Sequence, residues 1–213
     1  MSGDRQLTDQ ELLLAWAWGS SDAGRAFYRR MFPVLNRYFA NKLGSDADAE
    51  DLIQRTFLAC MDARGRFAAR STVRSWLIGI AHNLLCEHYR HKRRTKADFD
   101  ASHSSLRDLA DGPSTLLGKV REEQFLLDAL RSIPLDLQFA LELYYWEDMS
   151  GPMLADFLDI PEPNLRSRLR RAKSLVADAI VASGGAPPGL TEDALDARAR
   201  KVREAVFGRY ERP

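Results

Sequence analysis

Between residues 72 and 96 the chain gathers Arg90, Lys92, Arg93, Arg94 and Lys96 with no acidic residue among them. Such a run concentrates positive potential and suits a polyphosphate backbone. His82, Asn83, His88, Tyr89 and His91 stand before and within it, adding hydrogen bonding and stacking to the charge. A second basic group, Arg64, Arg66 and Arg70, surrounds a lone aromatic, Phe67. A third lies far along the chain, where Asn164, Arg166, Ser167 and Arg170 precede Lys173. One acidic group opposes them: Asp46, Asp48, Glu50 and Asp51, with Gln54 and Arg55 beside them. That patch fits either the positive end of a helix dipole or a basic partner. These are tools of binding, not of bond cleavage. There is no phosphate-cradling glycine loop, nucleophile motif or full metal-ligand spacing, so neither an enzyme nor a cofactor is expected.

The elements that position these groups are helices. Val73, Trp76, Leu77, Ile80, Ala81, Leu84 and Leu85 recur at steps of three and four, which places one apolar stripe along a helix ending in the basic run. Ser45 caps the segment with the acidic first turn, whose buried side is Leu52, Ile53, Thr56, Phe57 and Cys60. Upstream, Thr8 with Glu11 forms a capping-box pattern, and a second helix begins near Ser21, kinked or split by Pro33. After Arg94 the periodicity fades into a polar tether with Gly112-Pro113.

Leu116 to Arg131 and Pro134 to Trp146 then predict two further helices. Ser150 caps a short one with Pro152 in its first turn, Asp159-Ile160-Pro161 turns the chain, and a longer one runs from about Pro163 toward Val181. Leu165, Leu169, Ala172, Val176 and Ile180 face inward there, with Arg166, Arg170 and Lys173 on another face. Short helix, tight turn and basic helix describe a helix-turn-helix, whose second helix reads base edges with its N-terminal half. Ser183 to Gly189 is a Gly/Pro tether, and Thr191 caps a last helix striped with Leu195, Ala199, Val202 and Val206. That stripe either meets a partner, the two domains or a regulator, or belongs to a solvated tail helix.

With 213 residues, 45% hydrophobic and 29% charged, the chain holds one or two small cored domains. Its 31 basic and 30 acidic residues nearly cancel, so only their segregation is informative. Residues 1–11 lack a signal-peptide pattern and no apolar run reaches membrane-spanning length, which predicts a cytoplasmic chain without membrane insertion. Cys60 and Cys86 form no CxxC and are expected as buried reduced thiols. His82 and Cys86, four apart, lack two further ligands, so no metal is expected.

DAEDLIQRTFLAC, followed by STVRSWLIGIAHNLLCEHYRHKRR, resembles region two of the sigma-70 family in its extracytoplasmic-function subgroup. SIPLDLQFALELYYWEDMS and LADFLDIPEPNLRSRLRRAK resemble region four. The resemblance implies an all-α chain: region two over 1–96, a linker over 97–115, region four over 116–182, and a tether with a C-terminal helix over 183–213. It implies an initiation factor that binds core RNA polymerase through Asp48, Glu50, Asp51, Gln54 and Arg55. Promoter DNA would be met twice. Arg64, Arg66, Phe67, Arg70, His82, Asn83, Arg90, Arg93 and Arg94 would open and read the minus-ten element as a melted single strand. Asn164, Arg166, Ser167, Arg168, Arg170, Arg171 and Lys173 would read the minus-thirty-five duplex. An anti-sigma protein is a further partner of such factors. The competing reading is a helix-turn-helix regulator acting without polymerase, which leaves the acidic helix and the first basic helix without a role. Asp159 stands where relatives usually carry glycine, Gly151-Pro152-Met153 replaces a polar run, and Asn164 replaces threonine.

Overall fold

The Thr8 hydroxyl accepts the Glu11 backbone N–H at 3.2 Å, and the Glu11 carboxylate accepts the Thr8 N–H at 2.8 Å. This closed capping box starts α1 (Asp9–Ala17) in a computed structural model that describes residues 7–64, 67, 69, 71–92, 99–109, 121–185 and 191–202. Helix α2 (Ser21–Ala40) runs through Pro33 as one element, and Ser45 caps α3 (Asp46–Ala63). Helix α4 (Val73–Lys92) follows. Phe27, Leu35, Phe39, Leu52, Leu77 and Leu85 are fully buried where the four helices meet. The periodicity of α4 thus becomes one wall of the first core.

Residues 99–109 depart from the polar tether expected there. Phe99, Leu106 and Leu109 are buried, the last two on the short α5 (Leu106–Leu109), and the Phe99 ring lies 6.3 Å from that of Tyr89. Three apolar side chains spaced too widely to show a period are enough to hold this stretch against the helices. Residues 110–120, with Gly112-Pro113, fall outside the described residues.

The second half comprises α6 (Arg121–Ser132), α7 (Leu135–Tyr145), α8 (Gly151–Phe157) and α9 (Glu162–Ala182). Ser150 occupies the N-cap of α8, but its hydroxyl makes no capping bond; Pro152 lacks an N–H, which leaves one less donor to satisfy there. Asp159 turns the chain with φ of 52°, in the left-handed region. Leu154, Leu165, Leu169, Ala172 and Val176 close α8 and α9 over α6 and α7. Helix α10 (Glu192–Val202) is capped by Thr191, whose hydroxyl accepts the Ala194 N–H at 3.3 Å. No strand occurs among the described residues; the single β-bridge joins Ser105 to Pro134.

The two halves pack directly. Lys42 Nζ meets Glu142 Oε1 at 2.7 Å with side chains only 1% and 4% exposed. Arg131 donates to the Asn41 carbonyl at 2.7 Å, and Arg74 pairs with Glu147 at 2.9 Å. Gly79 lets α4 approach α8: a Cβ there would lie 2.9 Å from the Phe157 ring.

Candidate polymerase and nucleic-acid interfaces

On α3 the buried residues Ala49, Leu52, Ile53, Thr56, Phe57 and Cys60 leave Glu50, Asp51 and Gln54 exposed on the other side. Asp48 and Arg55 sit on its flank, half-buried against α4. Arg55 bridges Glu87 at 3.2 Å and Asp51 at 3.8 Å, so it ties α3 to α4 as well as presenting charge. Asp48 lies 3.9 Å from His88. Desolvation holds the His88 pKa below its ordinary value, so at neutral pH the ring is uncharged and this contact is not an ion pair.

The exposed side of α3 continues into two residues that periodic reasoning missed. Leu58 is 62% exposed and Met61 36%, one and two turns beyond Gln54. Their spacing from Gln54, four and seven residues, was the available signal. Large apolar groups in water beside carboxylates give this side of α3 a mixed apolar and acidic surface.

On α4 the tools divide. Asn83, Arg90, His91 and Lys92 are exposed; Tyr89 is buried, its hydroxyl donating to the Lys42 carbonyl. His82 also turns inward. Its ring stacks on Phe139 of α7 at 3.8 Å with a 3° interplanar angle, and Nδ1 is 3.0 Å from the Tyr38 hydroxyl. The expectation that His82 faces DNA therefore does not describe this arrangement, in which the second half covers it. Cys86 Sγ is 3.6 Å from His82 Nε2, and burial pushes both thiols, Cys60 and Cys86, up to about 12. Both cysteines are free, Cys60 buried and Cys86 half-buried. Arg64 is exposed and donates to the Met61 carbonyl. Phe67 is half-buried against Trp76, ring centroids 5.3 Å apart, closing an edge of the first core. Arg66, Arg70, Arg93 and Arg94 lie outside the described residues.

Helix α9 presents Asn164, Arg166, Ser167, Arg168, Arg170 and Arg171 to solvent while its leucines face α6 and α7. Arg166 pairs with Glu162 at 3.2 Å, an exposed i,i+4 contact too weak to withhold the guanidinium from a phosphate. Ser167 donates to the Pro163 carbonyl at 3.1 Å, leaving its oxygen able to accept. Lys173 is only 14% exposed, held 3.2 Å from Asp196 of α10. Between α4 and α8–α9 lies an open groove of about 500 Å³, lined by Trp76, Asn83, Asp136, Phe157 and Arg168 among others. The α4 face and the α9 face thus border one space.

Residues 25–95 match the profile of sigma-70 region 2, and residues 125–176 match that of sigma-70 region 4, together more than half of the chain. The chain belongs to the sigma-70 family, in its extracytoplasmic-function group. The sigma factor SigC of Mycobacterium tuberculosis is 32% identical over 172 residues, covering 79% of this chain and 89% of the relative. The sigma-E factor of Escherichia coli is 25% identical over 184 residues, covering 80% and 93%. Among solved structures, RpoE of Bartonella quintana, in complex with the anti-sigma factor NepR, matches with a TM-score of 0.52 at 25% identity, covering 73% of this chain and 97% of that one. CnrH, in complex with the cytosolic domain of CnrY, shares the fold with a TM-score of 0.54 at 20% identity over 82% and 97%. As a sigma factor of this group, the chain binds core RNA polymerase and directs promoter-specific initiation. Among the described residues no helix is long and apolar enough to cross a membrane.

Proposed function

We propose that the exposed side of α3, Glu50, Asp51, Gln54, Leu58 and Met61 with Asp48 and Arg55 on its flank, docks on the polymerase. The observation that carries this reading is the pairing of carboxylates with solvent-exposed Leu58 and Met61 on one stripe, which a merely solvated helix does not need. Asn83 and Arg90, with Arg64, Phe67 and the basic residues that follow them in sequence, hold the opened minus-ten strand. Cations there neutralise phosphates, and Asn83 and aromatic rings select bases. Asn164, Arg166, Ser167, Arg168, Arg170 and Arg171 enter the major groove at the minus-thirty-five element. The factor carries no catalytic chemistry of its own and acts in the cytoplasm, where it meets core polymerase. First and second domains correspond to residues 1–96 and 116–182, and an anti-sigma protein of the kind that holds RpoE restrains the chain.

The packed arrangement is a resting form on this reading. Two promoter elements about 25 base pairs apart are separated by about 85 Å along B-DNA, whereas Asn83 and Arg168 border a single groove. The domains must therefore part for both elements to be read at once. His82 is released by the same movement.

Transcription in vitro from a promoter library, with purified core polymerase with and without the chain, tests the reading. Discrete start sites appearing only with the chain support it, and Asp51→Lys should abolish them while leaving duplex binding by the second domain intact. Duplex binding without any comigration with core polymerase would instead favour a regulator acting alone.

A further inference from the structure

Helix α10 lies outside both matched regions, yet it is seated rather than solvated. Leu195 and Ala199, one turn apart, are buried in a cleft formed by Leu126 and Leu130 of α6, Leu141 and Tyr145 of α7, Trp146, and Val176 of α9. The return toward that cleft is built into the exit from α9. Gly184 adopts φ of 75°, and Gly185 passes so close to Phe125 of α6 that a Cβ would lie 2.6 Å from its ring. Neither position accepts an ordinary side chain without strain or displacement.

Between the two buried residues stands Asp196. Its carboxylate accepts the Tyr145 hydroxyl and lies 3.2 Å from Lys173 Nζ, which sits over the Tyr144 and Tyr145 rings at 5.7 and 5.6 Å. Lys173 follows Arg166 and Arg170 at i+7 and i+3, so the three share one side of α9. Arg166 and Arg170 are exposed; Lys173 is turned to Asp196.

The geometry points to α10 as an intramolecular clamp on the DNA-reading helix: while it is docked, Asp196 occupies Lys173 and withholds one cation from the phosphate backbone. This rests on the reading of α9 as the duplex-binding helix. Undocking α10 takes Asp196 away from Lys173 and opens the cleft, so duplex affinity rises without any change in the base-reading residues. Among the described residues the dock consists of two buried apolar side chains, one ion pair and the Tyr145 hydrogen bond, which suits a contact that is made and broken rather than a permanent part of the core.

The test is the salt dependence of binding to a labelled mixed-sequence DNA duplex, comparing the full chain with Asp196→Asn and with a chain ending at Gly185. One additional phosphate contact steepens the slope of log K against log salt by about 0.9, equivalent to about 3.5-fold more loss of affinity between ~50 and ~200 mM salt. Asp196→Asn and the shortened chain should both show that steepening. Lys173→Ala should leave the full chain's slope unchanged and remove the gain from Asp196→Asn. Asp193→Asn, which adds the same charge on the exposed side of α10, should not reproduce it. Asp196→Asn keeps Leu195 and Ala199 in place, so a folding failure of the shortened chain would not spare the idea. If Asp196→Asn matches the full chain while Arg166→Ala flattens the slope, the clamp is refuted and the duplex-binding reading stands. If Arg166→Ala also changes nothing, the duplex-binding reading of α9 fails with it.

Discussion

The Lys42 and Glu142 pair offers the sharpest prediction, because replacing one partner and replacing both should act in opposite directions. Their 2.7 Å contact is nearly sealed from water, with Lys42 also donating to the Tyr38 carbonyl at 3.2 Å and Gln138 donating to Glu142 Oε1 at 2.8 Å. Burial still dominates: desolvation lowers the Lys42 pKa despite the opposing pull of Glu142, and Glu142 Oε2 has no hydrogen-bond partner among the described residues. A pair of this kind contributes little over apolar packing, whereas removing one partner strands a charge at a cost of about 3–5 kcal/mol. Lys42→Met should therefore penalise the packed arrangement by that amount. The carboxylate escapes by meeting water, and the nearest water is reached by parting the domains rather than unfolding either one.

Taking the lower figure, about 3 kcal/mol shifts the packed-to-parted ratio more than a hundredfold. The radius of gyration should rise from about 17 Å, expected for a packed chain of this length, to about 25 Å or more for two separated bodies. Small-angle scattering reads this directly, and circular dichroism should show helix content unchanged. Adding Glu142→Leu to Lys42→Met should restore the small radius, since the stranded charge is gone. Should Lys42→Met leave the radius unchanged, the pair does not hold the domains together. If the double variant stays as open as the single one, the cost arises from lost contact rather than from a buried charge.

Other expectations follow from local chemistry. Leu58→Ala should weaken core-polymerase binding by about tenfold, near the ~1.5 kcal/mol lower bound for burying such a side chain, while its exposure leaves the melting temperature unaltered. Asp159→Gly relieves a left-handed backbone and should stabilise the second half by about 1 kcal/mol, read as a rise of several degrees in its thermal transition. Burial raises the Cys60 thiol from its ordinary 9.0 to about 12, so the unfolded chain loses that proton first as pH rises. Its contribution is complete below pH 9.0 and falls by ~1.4 kcal/mol per pH unit above it. Urea unfolding should show a shallower alkaline loss for Cys60→Ala than for the parent chain; equal losses would refute the assignment to this thiol.

Helix ends were legible because they are local. Thr8 with Glu11, Ser45 and Thr191 each satisfy backbone donors within three residues, so four letters carry the whole interaction. The family resemblance was equally legible, since it rests on long ordered runs. Side-chain direction at a stripe's edge was not. His82 adjoins Ala81 and lies three residues before Leu85, at the border between buried and exposed faces, and partners distant in sequence, the Tyr38 hydroxyl and the Phe139 ring, decide which it joins. Lys42 and Glu142 are separated by 100 residues, and neither letter announces a buried ion pair. A lysine and a glutamate read alone predict solvent.

The same limit explains why charge runs mark basic and acidic segments but do not define the face that those segments share. A run records which residues are near in sequence, whereas a docking face is a stripe, and α3 adds Leu58 and Met61 to its carboxylates by turning twice. Conversely, Lys173 belongs to the α9 run yet is held by Asp196, from a helix that follows it and folds back. Which cations face DNA is therefore a property of the arrangement, not of the list. Undocking α10 would change that set without altering one residue, by taking Asp196 away from Lys173, and separating the domains would uncover the His82 ring. A factor built this way can hold its recognition residues fixed on rigid helices and still regulate binding through what covers them.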